Sequence, residues 1–192
     1  KALPGVTSVA TVNVVPFTGA TSGWDAAFVA EGQSSPAPVF NFNFAVVGAE
    51  YFETMGISLL SGRAFDRNDR SGSAPVAMVS EQAARLLGIE NGAVGRRIRF
   101  PGSPGDWRTI VGVAADTRYR AIREAAPTVY VPLGQFTEVM TLITTLVVRT
   151  DGRLAAAVPS IRDAVGQTDP DVTVLQAAAL SQLVSGQLAG PR

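Results

Sequence analysis

Apolar positions change their period several times along this chain, and the changes mark its elements. Residues 6–15 (VTSVATVNVV) are dense in β-branched side chains and stop at Pro16, which cannot donate to a ladder, so a strand is predicted there. Phe40, Phe42, Phe44 and Val46 then alternate with Asn41, Asn43, Ala45 and Val47. That period of two predicts a strand with one strongly apolar face. Residues 49–56 (AEYFETMG) follow as a short helix closed by a C-terminal glycine, its aromatics plugged against a neighbouring sheet.

Further on, Pro75-Val76-Ala77-Met78-Val79 reads as a buried strand. Ser80 is suited to cap a helix that carries Ala83, Ala84, Leu86 and Leu87 and ends near Gly88. Segments 96–100 and 108–115 form a predicted strand pair across the Pro/Gly loop 101–105, and 129–133 is another short strand. Residues 141–150 (TLITTLVVRT) predict a strand, turned by Asp151-Gly152. Leu154, Val158, Ile161 and Val165 share one helical face, with Pro159 expected to kink that helix or to move its start. A strand over 172–176 and an apolar helical stripe of Leu180, Leu183, Val184 and Leu188 complete the chain. The fold class is α+β, its outer parts suiting a split βαβ sandwich.

Charge divides the 192 residues unevenly. The formal net charge is zero, yet residues 63–124 carry eleven arginines against seven acids, +4, while 1–62 carry −3 and 125–192 carry −1. A separate, more solvated unit inserted between two halves of another explains this partition, and its basic excess makes it the first place to look for an anionic partner. Composition also narrows the chemistry. There is no histidine or cysteine, and the only lysine is Lys1. Imidazole bases, thiol nucleophiles, Schiff-base lysines and the usual zinc, copper or haem ligand sets are therefore outside this chain's repertoire. The balanced charge speaks against nucleic acid as a partner. No run of about 18 apolar residues occurs, the length a spanning helix needs. The first and last residues read as the edges of a piece from a larger protein.

Carboxylate chemistry and anion binding remain to be weighed. Asp66, Asp69, Glu81 and Asp116 are candidates for a hydrolytic carboxylate pair, but Asp66 and Asp69 sit among Arg63, Arg67 and Arg70 in what reads as a solvated loop. The stretch Asp66-Arg67-Asn68-Asp69 lacks the spacing and closing glutamate of a calcium loop. Arg118, Arg120 and Arg123 beside Asp116 form the candidate anion or partner contact, since guanidinium forks suit phosphate and carboxylate. No catalytic, cofactor or metal site is expected.

Several segments, in order, carry a resemblance. Leu3-Pro4-Gly5-Val6, Tyr51-Phe52-Glu53-Thr54-Met55-Gly56-Ile57, Leu60-Ser61-Gly62-Arg63-Ala64-Phe65, Val94-Gly95-Arg96-Arg97-Ile98, Ile110-Val111-Gly112-Val113-Ala114-Ala115-Asp116 and Val129-Tyr130-Val131-Pro132-Leu133 together look like the MacB-like periplasmic core domain of MacB/FtsX-type ABC transporter permeases. The resemblance spans essentially the whole chain, with Pro159 a departure from the family's uninterrupted helix. It implies a discontinuous porter-like subdomain from 1–62 and 136–192 and an inserted small α/β, sabre-like subdomain over 63–135. It also implies a place on the extracytoplasmic, periplasmic side of the bacterial cytoplasmic membrane, between two transmembrane helices of the same protein. No enzymatic role and no cofactor come with it.

Two functions are expected from this reading. The first is relay of ATP-driven helix motion to a substrate or partner protein, in a permease dimer, with a cytoplasmic ATPase domain or subunit and a periplasmic adaptor protein as further partners. The alternative is an extracytoplasmic ligand- or lipid-binding module, without catalysis, for which a deep apolar pocket is the expected mark.

Overall fold

The computed structural model describes residues 3, 5–13, 15–17, 24–33, 42–101, 106–118, 124–136, 145–151, 154–172, 174 and 176–188. Among them the strands are β1 (Val6–Val12), β2 (Trp24–Ala26), β3 (Val29–Ala30), β4 (Phe42–Val47), β5 (Leu59–Gly62), β6 (Val76–Ser80), β7 (Arg97–Arg99), β8 (Arg108–Ala114), β9 (Thr128–Pro132) and β10 (Thr145–Thr150). The helices are α1 (Tyr51–Met55), α2 (Glu81–Leu86), α3 (Leu154–Thr168) and α4 (Leu180–Leu188). All ten strands belong to one mixed sheet in the order β10-β1-β4-β9-β6-β8-β7-β3, with β2 added to β4 and β5 added to β8. The fold class is α+β.

Connectivity forces this sheet to curl. β2 lies outside β4 and β3 outside β7, so a flat sheet would separate them by six strand intervals, about 29 Å at ~4.8 Å each. Yet only three residue steps join Ala26 to Val29, a reach of at most about 11 Å. The β2–β3 segment is therefore a strap that closes β4-β9-β6-β8-β7 into a small barrel. Its lumen holds Phe28 and Ala30 from the strap, Phe42, Phe44 and Val46 from β4, Val129 and Val131 from β9, Ala77 and Val79 from β6, Ile110 from β8 and Ile98 from β7. α2 plugs one end through Ala83, Ala84 and Leu87. Ser80 caps that helix by accepting the Ala83 N–H at 3.2 Å, and it also accepts the Thr128 N–H at 3.1 Å, tying the helix start to β9.

A second core covers the outer face of the same strands. It joins Ala10 and Val12 of β1, Ala45 and Val47 of β4, Tyr51 and Phe52 of α1, Met78 of β6 and Tyr130 of β9. α1 stops at Gly56, whose φ of 69° suits a residue without a side chain. β10 is fixed to it by Arg149, whose Nε donates to the Thr54 carbonyl at 2.9 Å. The two cores explain β4. It was expected to show one apolar face, but every residue from Phe42 to Val47 is buried, because the barrel takes one face and α1 the other. Asn43, inside that strand, is correspondingly buried beside Thr128.

Other expectations meet the structure as follows. The helix expected after Ser80 is present, with Gly88 left-handed at its end (φ 65°). α3 runs through Pro159 from Leu154, so the proline does not move its start. Over 172–176, Val172, Val174 and Gln176 are not in strand, and Thr173 and Leu175 lie outside the described residues. β-rich composition makes no strand without a ladder partner, and none is paired to the described part of this segment. Residues 141–144 and 40–41 of two expected strands also lie outside the description.

Candidate functional site

Among the described residues, the barrel end opposite α2 is open. β6 and β8 run parallel from that end, Phe100 and Pro101 leave β7 there, and Phe136 follows β9 there. Together with Asp25, Ala26 and Ala27 of the strap and Phe44 of β4 they line a cleft of about 750 Å³. Its floor is a run of ring contacts: Phe28 to Phe100 at 4.6 Å, Phe44 to Phe100 at 5.3 Å and Phe44 to Phe136 at 5.5 Å between centroids. Packing of this kind presents a rigid, apolar wall.

Polar bonds set the position of Phe136. A 3-10 turn over Leu133–Gln135 precedes it. Gln135 accepts the Val76 N–H at 2.9 Å and an Arg108 N–H at 3.1 Å through Oε1, and donates through Nε2 to Ser73 Oγ and the Ala74 carbonyl, both at 2.8 Å. Arg108 also donates to the Val76 carbonyl at 3.3 Å. Burial pulls its guanidinium below the usual range. These bonds compensate part of that desolvation and tether the rim to β6 and β8.

A second, smaller cleft of about 270 Å³ lies between the turn after β4 and the loop 65–70, with Leu133 and Gly134 on its other side. The loop is braced by Asp69, only 6% exposed, which receives Arg63 through two bonds at 2.8 and 2.9 Å and the Asp66 N–H at 2.9 Å. Arg63 holds the Asp69 carboxyl below its ordinary range. A general acid needs the opposite shift, so this carboxyl is a brace for the loop.

Of the other residues singled out in the sequence, Asp116 accepts the Gln82 N–H at 2.7 Å and so serves the first turn of α2. Glu81 pairs with Arg85 one turn along that helix at 3.4 Å. Arg118 is exposed, beside the isolated bridge between Thr117 and Ala126, while Arg120 and Arg123 lie outside the described residues. Among the described residues no group of three or more carboxylates gathers as metal ligands would. The strap escaped sequence reading, although the alternation of Ala26, Phe28 and Ala30, all turned toward the lumen, is a period of two.

Comparison with known proteins agrees with this architecture. The family model described as the MacB-like periplasmic core domain matches residues 1–179. No curated protein matches the chain. Among solved structures, the periplasmic region of MacB from Actinobacillus actinomycetemcomitans is similar at a TM-score of 0.60 and 17% identity, over 86% of this chain and 69% of that one. A domain of a putative permease protein from Porphyromonas gingivalis gives 0.58 and 15%, over 96% and 84%. The extracellular domain of the noncanonic ABC-type transporter YknZ from Gram-positive bacteria gives 0.57 and 15%, over 88% and 80%.

Proposed function

Because the chain belongs to the family of MacB-like periplasmic core domains, the extracytoplasmic domains of ABC transporter permeases, we propose that it works as a mechanical relay. ATP-driven closure in the cytoplasm moves the permease's transmembrane helices, and this domain passes the motion to a substrate or partner protein. The observation that carries the reading is the continuous ladder. β1, the entry strand, pairs along its length with β10, from Val6↔Thr150 to Val12↔Thr145, and through Val12↔Val47 it joins β4 and the barrel. A displacement of the chain's first strand is thereby delivered into a body with two shared cores rather than lost in a linker.

The porter-like unit (1–62 and 136–192) and the sabre-like unit (63–135) are, in this proposal, divisions of chain order within one rigid body. β4 of the first pairs with β9 of the second over Asn43↔Thr128 to Val47↔Pro132, and both cores draw on both units. Two such domains face one another in a permease dimer, with a periplasmic adaptor and a cytoplasmic ATPase as the remaining partners. These 192 residues hold no cysteine that would compete with an introduced one. Spin labels on cysteines placed at Thr7 and at Glu90, exposed beyond the helix that plugs the barrel, should keep one distance through the nucleotide cycle in the whole permease, while labels at Thr7 in the two copies should change theirs. An internal distance that moves with nucleotide, or an inter-copy distance that does not, ends the relay reading.

The open barrel end favours a second reading, an extracytoplasmic module that binds an apolar ligand. Its cleft is within the volume range of small-molecule sites and walled by Phe44, Phe100 and Phe136. Dodecanoate should then raise the melting temperature of the chain, and Phe100→Asp should remove the effect. No shift with dodecanoate returns the cleft to a purely structural role.

A further inference from the structure

The β7–β8 hairpin carries an arrangement on its outer face that neither the fold nor the barrel requires. Ile98 of β7 points into the barrel core with no exposed surface, so Arg97 and Arg99 point outward. Antiparallel pairing of Arg97 with Thr109 and Ile98 with Arg108 sets Arg99 opposite Trp107. Both guanidiniums lie over the one indole, Arg97 at 5.7 Å and Arg99 at 4.9 Å from its centroid. Arg97 is neutralised by Glu31, which follows the strap, through a two-point contact that includes Nε at 2.8 Å. Arg99 has no carboxylate or hydrogen-bond acceptor among the described residues, and its Nε is buried without a partner. Arg96, exposed just before β7, has no ion pair among the described residues either. The loop 101–105 (PGSPG) at the hairpin's tip brings no charge of its own.

The Arg99 guanidinium, partly desolvated and without a carboxylate among the described residues, carries a desolvation cost that an incoming anion would offset. The Trp107 ring holds the Arg99 fork in place, so little side-chain entropy remains to be lost on binding. The open charge is small: Arg99 has no carboxylate partner among the described residues, Arg96 acts on Glu31 together with Arg97, and Asp106 stands nearby in sequence. An anionic bilayer is held by clusters of about 4–8 basic side chains, more than this face offers. One or two carboxylates of a peptide match it.

We propose that the Arg97–Trp107–Arg99 face of the β7–β8 hairpin, with Arg96 at its rim, is a docking surface for an acidic segment of a partner protein, whose carboxylate pairs with Arg99. The probe is a hexaglutamate peptide titrated into the 192-residue chain while tryptophan emission is followed. A saturable change is expected that is screened by 0.5 M NaCl and absent in Trp107→Phe, where Trp24 is the remaining indole. Arg99→Gln should weaken binding about tenfold at an unchanged melting temperature, the loss typical of a hydrogen bond between charged groups. Arg118→Gln, an exposed arginine elsewhere, should leave affinity unaltered. Equal binding by Arg99→Gln, or an equal loss in Arg118→Gln, overturns the proposal. So does a response to inorganic phosphate or to vesicles containing anionic phosphatidylglycerol when the peptide gives none.

Discussion

The barrel and the β1/β10 pair are parts of the same sheet, yet they are built to different rules. In the barrel, β4, β6 and β9 are buried at every position, because the lumen covers one face and α1 with its neighbours the other. In the outlying pair only the face toward α1 is covered, and the other leaves Val9 43% and Leu146 46% exposed. α3 and α4, which follow that pair, are mostly solvated, with Leu188 70% exposed. Burial per residue, and with it stability, is therefore concentrated in the middle of the sheet. For the proposed relay this is an instructive division: a stiff body is joined to β1 through a short seam, made of the Val12↔Val47 pair with its flanking bonds (Asn13 N–H to the Val46 carbonyl at 3.0 Å, Gly48 N–H to the Thr11 carbonyl at 2.9 Å and Val46 N–H to Asn13 Oδ1 at 2.8 Å), α1 and the Arg149 bond.

The largest break in that comparison should come from the barrel's outer wall. Gly62, at the end of β5, has φ 77°, and a Cβ placed on it would meet the Val111 carbonyl at 2.2 Å. Backbone cannot yield there as a side-chain tip could, and the left-handed conformation is strained for alanine besides. Gly62→Ala should cost about 3 kcal/mol, read as a lower denaturation midpoint at an unchanged m-value.

Next comes the brace of the 65–70 loop. Asp69→Asn removes the charge from two bonds to Arg63, and with Arg63 about half exposed the loss should be near 2 kcal/mol at neutral pH. The carboxyl's folded value is depressed, so its contribution is complete above the ordinary aspartate range and disappears as pH falls below that range through the folded value. Melting curves of the two proteins should converge in acid. At the other extreme Tyr130, pushed up to about 12 by burial, contributes stability that is complete below pH ~10 and is lost as pH rises from there to about 12. That alkaline loss should be the same in both proteins.

What could be read in the sequence was what local chemistry decides. Ser80 before an acidic first turn and Gly88 after it bound α2 because caps act over one turn. The Phe42/Phe44/Val46 alternation gave β4 because the period of two is local as well. The strap was hard to read for the opposite reason: its period of two covers only Ala26, Phe28 and Ala30, and β2 and β3, three and two residues long, each exist because a distant strand, β4 or β7, offers its edge. Asp116 shows the same limit, since nothing in its own neighbourhood reveals that it faces Gln82 in α2. The Arg97–Trp107–Arg99 stack likewise depends on hairpin register across the loop 101–105, whereas charge counting located only the basic third that contains it.

The seam itself is tested by Arg149→Gln. The change removes the Nε bond to the Thr54 carbonyl but leaves the β1–β10 ladder intact, and it should cost about 1 kcal/mol. Hydrogen exchange sharpens the result: amides of β10 should lose protection while those of β6 and β9 keep theirs, because local opening at the seam need not open the barrel.

The smallest effect, that of Val9→Ala, is the most informative about the difference between the two regions when set against Val46→Ala. Val9→Ala and Val46→Ala delete the same two methyl groups from neighbouring strands. Val46 is 1% exposed inside the barrel, where the deletion leaves a void lined by Phe and Val side chains and should cost about 2 kcal/mol. Val9 faces solvent beside Val148, so water already occupies part of the space its methyls would vacate, and the cost should stay within about 0.5 kcal/mol. Equal losses in urea melts of the two variants would mean that the outer face of β1 is packed as tightly as the lumen, and the contrast between stiff barrel and lightly attached seam would be wrong.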